Sequence, residues 1–131
     1  MTMRQAQHRH SVATPGRGLV EITSPVVCWA EAQGMAAGVL TLFCQHTSAS
    51  LTINENADPD VKSDMLGFLR DLIPQYREGF RHFEHNSDAH IKSSLVGSGV
   101  TVPFSGGKLL LGRWQGIYLC EFDGPRERQV L

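Results

Sequence analysis

Six histidines are spread over 131 residues, and three of them stand within one short run, His82-Phe83-Glu84-His85-Asn86-Ser87-Asp88-Ala89-His90. Neutral imidazole is the commonest protein ligand for zinc and similar ions, and three histidines with one open position form a recurring catalytic arrangement. None of the spacings matches a metal motif such as HExxH, so the run is open both to a metal site and to a solvated loop. A second dense polar stretch, QHTSASLTINENADPD from Gln45 to Asp60, carries His46, Asn54, Glu55, Asn56, Asp58 and Asp60. Loops on a rigid scaffold aim several groups at one place, which makes this stretch a candidate site. The plainer reading of Asn54, Glu55 and Asn56 is turn formation, and of Asp58 a helix cap. With His46 leaving a strand, His82 on a loop and His90 opening a helix, the three imidazoles can converge on one divalent ion, Zn or Mg. Asp58, Asp60 or Asp88 would then fix imidazole tautomers or offer oxygen to magnesium. His8 and His10 lie in a polar amino-terminal stretch and are expected to be exposed.

A third polar group comes late: Lys108, Arg113, Trp114, Gln115, Asp123, Arg126 and Arg128. The bidentate fork of arginine suits phosphate or carboxylate, while ordinary surface exposure is the plainer reading, above all for Arg128. Phosphate loops of the Walker or dinucleotide type are absent, since Gly97-Ser98-Gly99 follows a helix instead of preceding one. Cys28, Cys44 and Cys120 form no CxxC pair and an odd count, which points to free, partly buried thiols instead of a disulfide framework. Cys44 and His46 share a strand face, but that spacing does not set sulfur against nitrogen.

The elements that must position these groups follow from patterning. Gln5 to Thr14 reads as a short strand ended by Pro15-Gly16, and Gly18 to Thr23 as another. Pro25 opens a short amphipathic helix through Val26, Val27, Trp29, Ala30 and Gln33 to Gly34. Gly38 to Cys44 is nearly continuously apolar, as a strand buried on both faces would be. Asp58-Pro59-Asp60 opens a helix with Val61, Met65, Phe68, Leu69 and Leu72 on one stripe, ended by Pro74. Asp88 to Val96 makes another, with Ser87 as cap and Ile91, Leu95 and Val96 inward. Val100 to Phe104, Lys108 to Leu111 and Gly116 to Phe122 complete a strand-rich end, with Glu127 to Leu131 as an edge. The order of elements fits an α+β protein with antiparallel or mixed sheets and helices packed on one face.

The length suits one domain over residues 1–131. A formal charge of −1 supplies no bulk field to recruit nucleic acid or an anionic membrane. The apolar runs are too short to cross a bilayer. The start MTMRQAQHRHSV lacks an apolar export segment, so the expected address is the cytoplasm.

His46-Thr47-Ser48-Ala49-Ser50 with Thr52-Ile53-Asn54-Glu55-Asn56-Ala57-Asp58-Pro59-Asp60, then Asp88-Ala89-His90-Ile91-Lys92-Ser93-Ser94-Leu95, then Leu111-Gly112-Arg113-Trp114-Gln115-Gly116-Ile117-Tyr118 give the chain a close resemblance to the YjbQ-like family. The likeness runs from about Gly16 to Val130, and three motifs in the family's order are far more specific than any one. The resemblance implies an α+β sandwich that assembles as a homotrimer, with a histidine-lined polar pocket at or near the subunit boundary. It places metal-binding positions at His46, His82 and His90, and further site positions at Asn54, Glu55, Asp58, Asp60, Asp88, Trp114 and Gln115. The segment Phe83 to Ser87 is shorter than in many members and brings His85 as an additional or replacement ligand. The chain also stops at Leu131, where relatives usually complete a further strand. Members are described as secondary thiamine-phosphate synthases, joining hydroxymethylpyrimidine diphosphate to thiazole phosphate with loss of pyrophosphate. On that expectation Asn54, Glu55, Asp58 and Asp60 serve the chemistry, and Lys108, Arg113, Trp114 and Gln115 bind the small phosphorylated substrate. The alternatives are a metal-dependent hydrolase of a small phosphorylated or ester substrate and a non-catalytic trimer that binds a small anion.

Overall fold

The computed structural model describes residues 3–131. Met1 and Thr2, the first residues of the stretch read for an export signal, lie outside them. The order of elements is β1 (His10–Ala13), β2 (Gly18–Glu21), α1 (Thr23–Ala32), β3 (Gly38–Phe43), β4 (Ala49–Glu55), α2 (Pro59–Leu72), α3 (Ser87–Val96), β5 (Gly99–Ser105), β6 (Lys108–Leu109), β7 (Gln115–Glu121) and β8 (Glu127–Val130). All strand pairs are antiparallel, in the orders β1-β8, β2-β7-β4 and β3-β5-β6. The end of β3 joins β8 through a Cys44–Val130 bridge and reciprocal Phe43–Leu131 backbone bonds, so β1-β8 and β3-β5-β6 make one outer layer. Among the described residues, no helix is long and apolar enough to cross a membrane.

Two cores lie on the two faces of the central sheet β2-β7-β4. Between the sheets sit Ile22, Val26, Leu42, Cys44, Ala49, Leu51, Ile117, Leu119 and Val130. On the other face Leu19, Tyr118, Cys120 and Phe122 meet Ala89 and Val96 of α3 and Met65, Leu66 and Leu69 of α2. The result is an α+β sandwich with α2 and α3 on one face of the central sheet, while α1 packs through Val26 into the core between the sheets. Strand alternation explains the division: Ile117 and Leu119 point one way, Tyr118 and Cys120 the other. Each such aliphatic side chain contributes about 1.5–3 kcal/mol by leaving water. Cys44 and Cys120 are buried, Cys28 is exposed, and all three thiols are free.

Several expectations need correction. The strand buried on both faces is β7 and not β3, whose outward Val39 and Phe43 are 63% and 48% exposed. The polar stretch after Cys44 is no single loop, because Ala49, Leu51 and Ile53 alternate into the inter-sheet core and make it strand β4. On α2 the stripe is narrower than expected: Met65, Leu66 and Leu69 pack, while Phe68 and Leu72 face outward. Helix α3 is turned relative to its apolar residues. Asp88, Ala89, Lys92 and Ser93 are buried, and Ile91 and Leu95 are exposed. This phase is held because the inward polar groups are paired: Lys92 Nζ donates to Asp88 at 2.8 Å, and Ser93 Oγ donates to the Ala49 carbonyl at 2.6 Å. Ser87 is the first residue of this helix; the cap position is Asn86, whose side chain makes no capping bond.

Candidate functional site

The expected site residues divide between the two ends of the central sheet. Strand register places Glu55 opposite Gln115 at one end, and Ala49 and Gly18 opposite Glu121 at the other. The seven residues of β4 set these ends about 20 Å apart at roughly 3.3 Å per step.

The first end gathers Asn54, Glu55, Asp58, Arg113, Trp114 and Gln115. Asn54 is committed locally: its Oδ1 accepts from the Glu55 amide at 2.7 Å and its Nδ2 lies 3.2 Å from Met65 Sδ. Gln115 Oε1 accepts from the Gly112 amide at 2.7 Å, which leaves its NH2 group for other partners. The Arg113 guanidinium lies over the Trp114 ring at 4.7 Å, and that ring is half exposed. Asp58 caps α2, accepting from the Asp60 amide at 2.9 Å, and Asp60 stands in the first turn of the same helix. Lys108, on the β5–β6 hairpin, is tied instead to Glu31 of α1 at 3.4 Å. Because the cap explains Asp58 structurally, Asp58→Ala is expected to lower stability by about 1 kcal/mol, while Asp58→Asn, which still caps, stays within a few tenths. Urea denaturation of both variants measures this, and equal losses would refute the capping account. The asparagine variant then isolates any part the carboxylate has in turnover.

The second end carries the histidines. The His82 and His90 rings meet edge to face with centroids 5.8 Å apart, and His82 Nε2 is 4.0 Å from a Glu84 carboxylate oxygen. Beside them lies an ionic network that begins on α3. Asp88, fully buried, accepts from Arg17 at 2.7 Å and from Lys92 at 2.8 Å. Burial works to raise the Asp88 pKa, but hydrogen bonds from Arg17 and Lys92 and the charges of both hold it below the usual value. Arg17 also approaches Asp123 at 3.7 Å, and Arg126 pairs with Asp123. Asn86 Nδ2 donates to Asp123 at 2.7 Å, while its buried Oδ1 has no partner among the described residues. A buried oxygen left unpaired costs about 1–3 kcal/mol, so Asn86 Oδ1 marks a place where a partner belongs.

His46 reaches this end from the close of strand β3. It lines a pocket of about 250 Å³ with Thr47, Ser93, Ser94 and Ser98, beside the last turns of α3. Its Nε2 accepts a 2.7 Å hydrogen bond from the Gln129 amide. A neutral imidazole has one ring lone pair, so this bond leaves His46 an Nδ1–H donor with nothing to offer a metal. Burial, with Arg128 next in effect, lowers its pKa and favours that neutral form. His85 leans on Tyr76 at 6.0 Å, and Asp88 is occupied by its two cations. Among the described residues, no group of three His, Cys, Asp or Glu side chains is placed to hold a metal ion. His82 and His90 stand together at this end, where the Asn86 oxygen is also buried, and the Nε2 of His46 is engaged by the Gln129 amide.

A model of the UPF0047 protein YjbQ-like family matches residues 8–131. The chain belongs to the YjbQ-like family. It is 49% identical over 110 residues to the UPF0047 protein YugU of Bacillus subtilis, covering 84% of this chain and 83% of that protein. A UPF0047 protein of Methanocaldococcus jannaschii is 50% identical over 111 residues, covering 85% and 80%. Among solved structures, an uncharacterised conserved protein of the YjbQ/UPF0047 family from Clostridium acetobutylicum superposes with a TM-score of 0.90 at 44% identity, covering 95% of this chain and 97% of that one. A conserved hypothetical protein from Thermus thermophilus gives 0.88, also at 44% identity and with the same coverage.

Sequence reasoning passed over three parts of this YjbQ-like chain that shape the histidine end: Arg17, Asn86 and Lys92. Arg17 carries no local signal. Lys92 does, because it stands four residues after Asp88, a spacing that pairs charges along a helix. Arg128, expected at the surface, is 1% exposed and paired with Glu121. Strand alternation would have revealed it, since Arg128 and Val130 occupy the same face of β8.

Proposed function

We propose that this YjbQ-like chain is a small-molecule transferase of the thiamine-phosphate synthase type, working as a homotrimer whose sites form where the two ends of neighbouring copies meet. One observation carries the reading: residues suited to a single phosphate chemistry stand at opposite ends of one sheet, too far apart to cooperate within a chain. Ile91 and Leu95, exposed on α3 beside His90, give the histidine end apolar surface of the kind that partners cover, and Phe68 and Leu72 expose further apolar surface on α2.

In the proposed reaction the bond from the pyrimidine methylene carbon to the diphosphate oxygen breaks, the thiazole nitrogen forms the new bond to that carbon, and pyrophosphate departs. A divalent ion, Zn or Mg, when bound supplies positive charge to the departing diphosphate. His82, His90 and Asn86 Oδ1 would hold it, with the remaining donors coming from the neighbouring copy and the substrate. Arg113 offers a planar fork to phosphate, and the Trp114 ring offers a stacking surface to the pyrimidine or thiazole. Glu55 and Asp60 line the rim as hydrogen-bond acceptors. The Asp88 network positions His90 by fixing the first turn of α3.

The test is complementation. His90→Ala and Arg113→Ala are each expected to lose turnover at least 100-fold, read as coupled product and pyrophosphate. Co-refolding the two inactive variants should restore a substantial fraction, because mixed trimers contain sites free of both substitutions. His90→Ala should also lose bound metal by elemental analysis. No recovery from a mixture proven to exchange subunits would overturn the shared site, and full turnover in metal-stripped protein would remove the ion. Pyrophosphate or phosphate released without coupled product would reassign the chain to hydrolysis. Stabilisation by inorganic phosphate with no turnover would reassign it to anion binding.

A further inference from the structure

A cavity of about 460 Å³ is lined by the amino-terminal segment from Arg4 to His10, helix α1 and strand β3. Its volume falls in the range of small-molecule sites. Val26, Leu40, Leu42 and Phe104 give it apolar walls, and Trp29 contributes a broad aromatic surface. The His8 ring lies nearly parallel to Trp29, 5.7 Å away and inclined by 21°, and His10 stands edge-on to both. Among the lining side chains Arg4 is the charged one, with no aspartate or glutamate, and Leu131, whose main-chain carboxyl group ends the chain, also borders the cavity. One Arg4 nitrogen donates to the Gln33 carbonyl at 3.2 Å, which anchors the guanidinium at the rim and leaves most of its N–H groups without a partner among the described residues. Burial, with His8 next in effect, lowers the His10 pKa, so that ring adds a neutral hydrogen-bonding edge at neutral pH.

We propose that this cavity is a second binding site, for a small aromatic anion such as an aryl carboxylate or sulfonate. The flat apolar body lies among Trp29, Leu40 and Phe104, and the anionic group meets Arg4. A wholly apolar ligand would make no use of Arg4, which stays in water at the rim, and an inorganic anion would leave the apolar walls empty. The site does not depend on the reaction proposed above, since it shares no residue with it.

The test uses 1-anilinonaphthalene-8-sulfonate titrated into the full chain, read by probe fluorescence and, in a Trp114→Phe background, by quenching of Trp29. Saturable binding to one site per chain is expected, with competition by indole-3-acetate and at least tenfold weaker competition by its neutral analogue indole-3-ethanol. Arg4→Gln, a substitution at an exposed position, should weaken the probe about tenfold, in line with loss of one charge-assisted hydrogen bond. Ala30→Trp should fill the cavity and abolish binding, with circular dichroism confirming the fold. Binding that never saturates, survives Ala30→Trp in a folded variant, or is unchanged in Arg4→Gln would overturn the proposal. So would equal competition by the neutral analogue, or absence of binding because a second copy seals the cavity.

Discussion

Arg128→Ala is expected to cost the fold about 3–5 kcal/mol, because it leaves a buried carboxylate without its counter-charge. Glu121 is fully buried at the end of β7, and Arg128 reaches it from β8 through Nε, 2.7 Å from Oε1, and through Nη2. The remaining lone pairs are answered by Thr14 Oγ1 at 2.7 Å and by the Asp123 amide at 3.0 Å, and Arg128 also donates to the Ser48 hydroxyl at 3.0 Å. The pair therefore clips the outer layer to the central sheet at one specific register. Against a total stability of about 5–15 kcal/mol, such a loss brings the chain close to unfolding. The double variant Arg128→Met/Glu121→Leu should recover most of it, since neither charge is then left buried, although Thr14 and the Asp123 amide lose an acceptor. Urea midpoints of the single and double variants give the answer. A single variant within 1 kcal/mol of the natural chain would mean that water reaches Glu121.

Asp88→Ala is expected to cost a comparable amount, about 3 kcal/mol or more, by leaving the buried Lys92 ammonium with no counter-ion. Arg17 softens the figure little, because its side chain is one-third exposed and can turn to water once released. The pH dependence has a definite sign. The folded-state pKa of Asp88 lies below its ordinary value, and so does that of Glu121, where burial is outweighed by Arg128, Thr14 and the Asp123 amide. Their stabilisation is complete above the unfolded carboxylate range and is lost as pH falls through the depressed folded values. Urea midpoints should therefore decline from about pH 5 downward in the natural chain, and the decline should be shallower in Asp88→Ala. A variant that keeps the full acid slope would show that Asp88 has no share in it.

How far the sequence reveals this architecture depends on where each side chain's fate is decided. Asp58-Pro59-Asp60 announces α2 correctly because a cap and a proline at the first turn act locally. Strand β4 hides in a polar stretch because Ser50, Thr52 and Asn54 face the helices while only Ala49, Leu51 and Ile53 carry the apolar period. The phase of α3 is settled by partners remote in sequence, Arg17 and the Ala49 carbonyl, and no local pattern announces them. The same is true of the candidate site. His82 and His90 do come together, as their concentration in one run suggested, whereas His46 is drawn to the Gln129 amide by the pairing of the β3 end with β8. The separation of Arg113 and Trp114 from the histidines follows from strand register, which motif order does not encode.

The double burial of β7 has a consequence for how sequences of this kind can diverge. Ile117 and Leu119 serve one layer while Tyr118 and Cys120 serve the other, so inserting or deleting a single residue would exchange the two sets and corrupt both cores at once. Insertions and deletions are therefore expected to be tolerated at the hairpin at Gly106–Gly107 and in the segment between α2 and α3, and not within β7. The spacing from Gln115 to Glu121 thereby fixes the distance between the two half-sites that one chain offers to different neighbours.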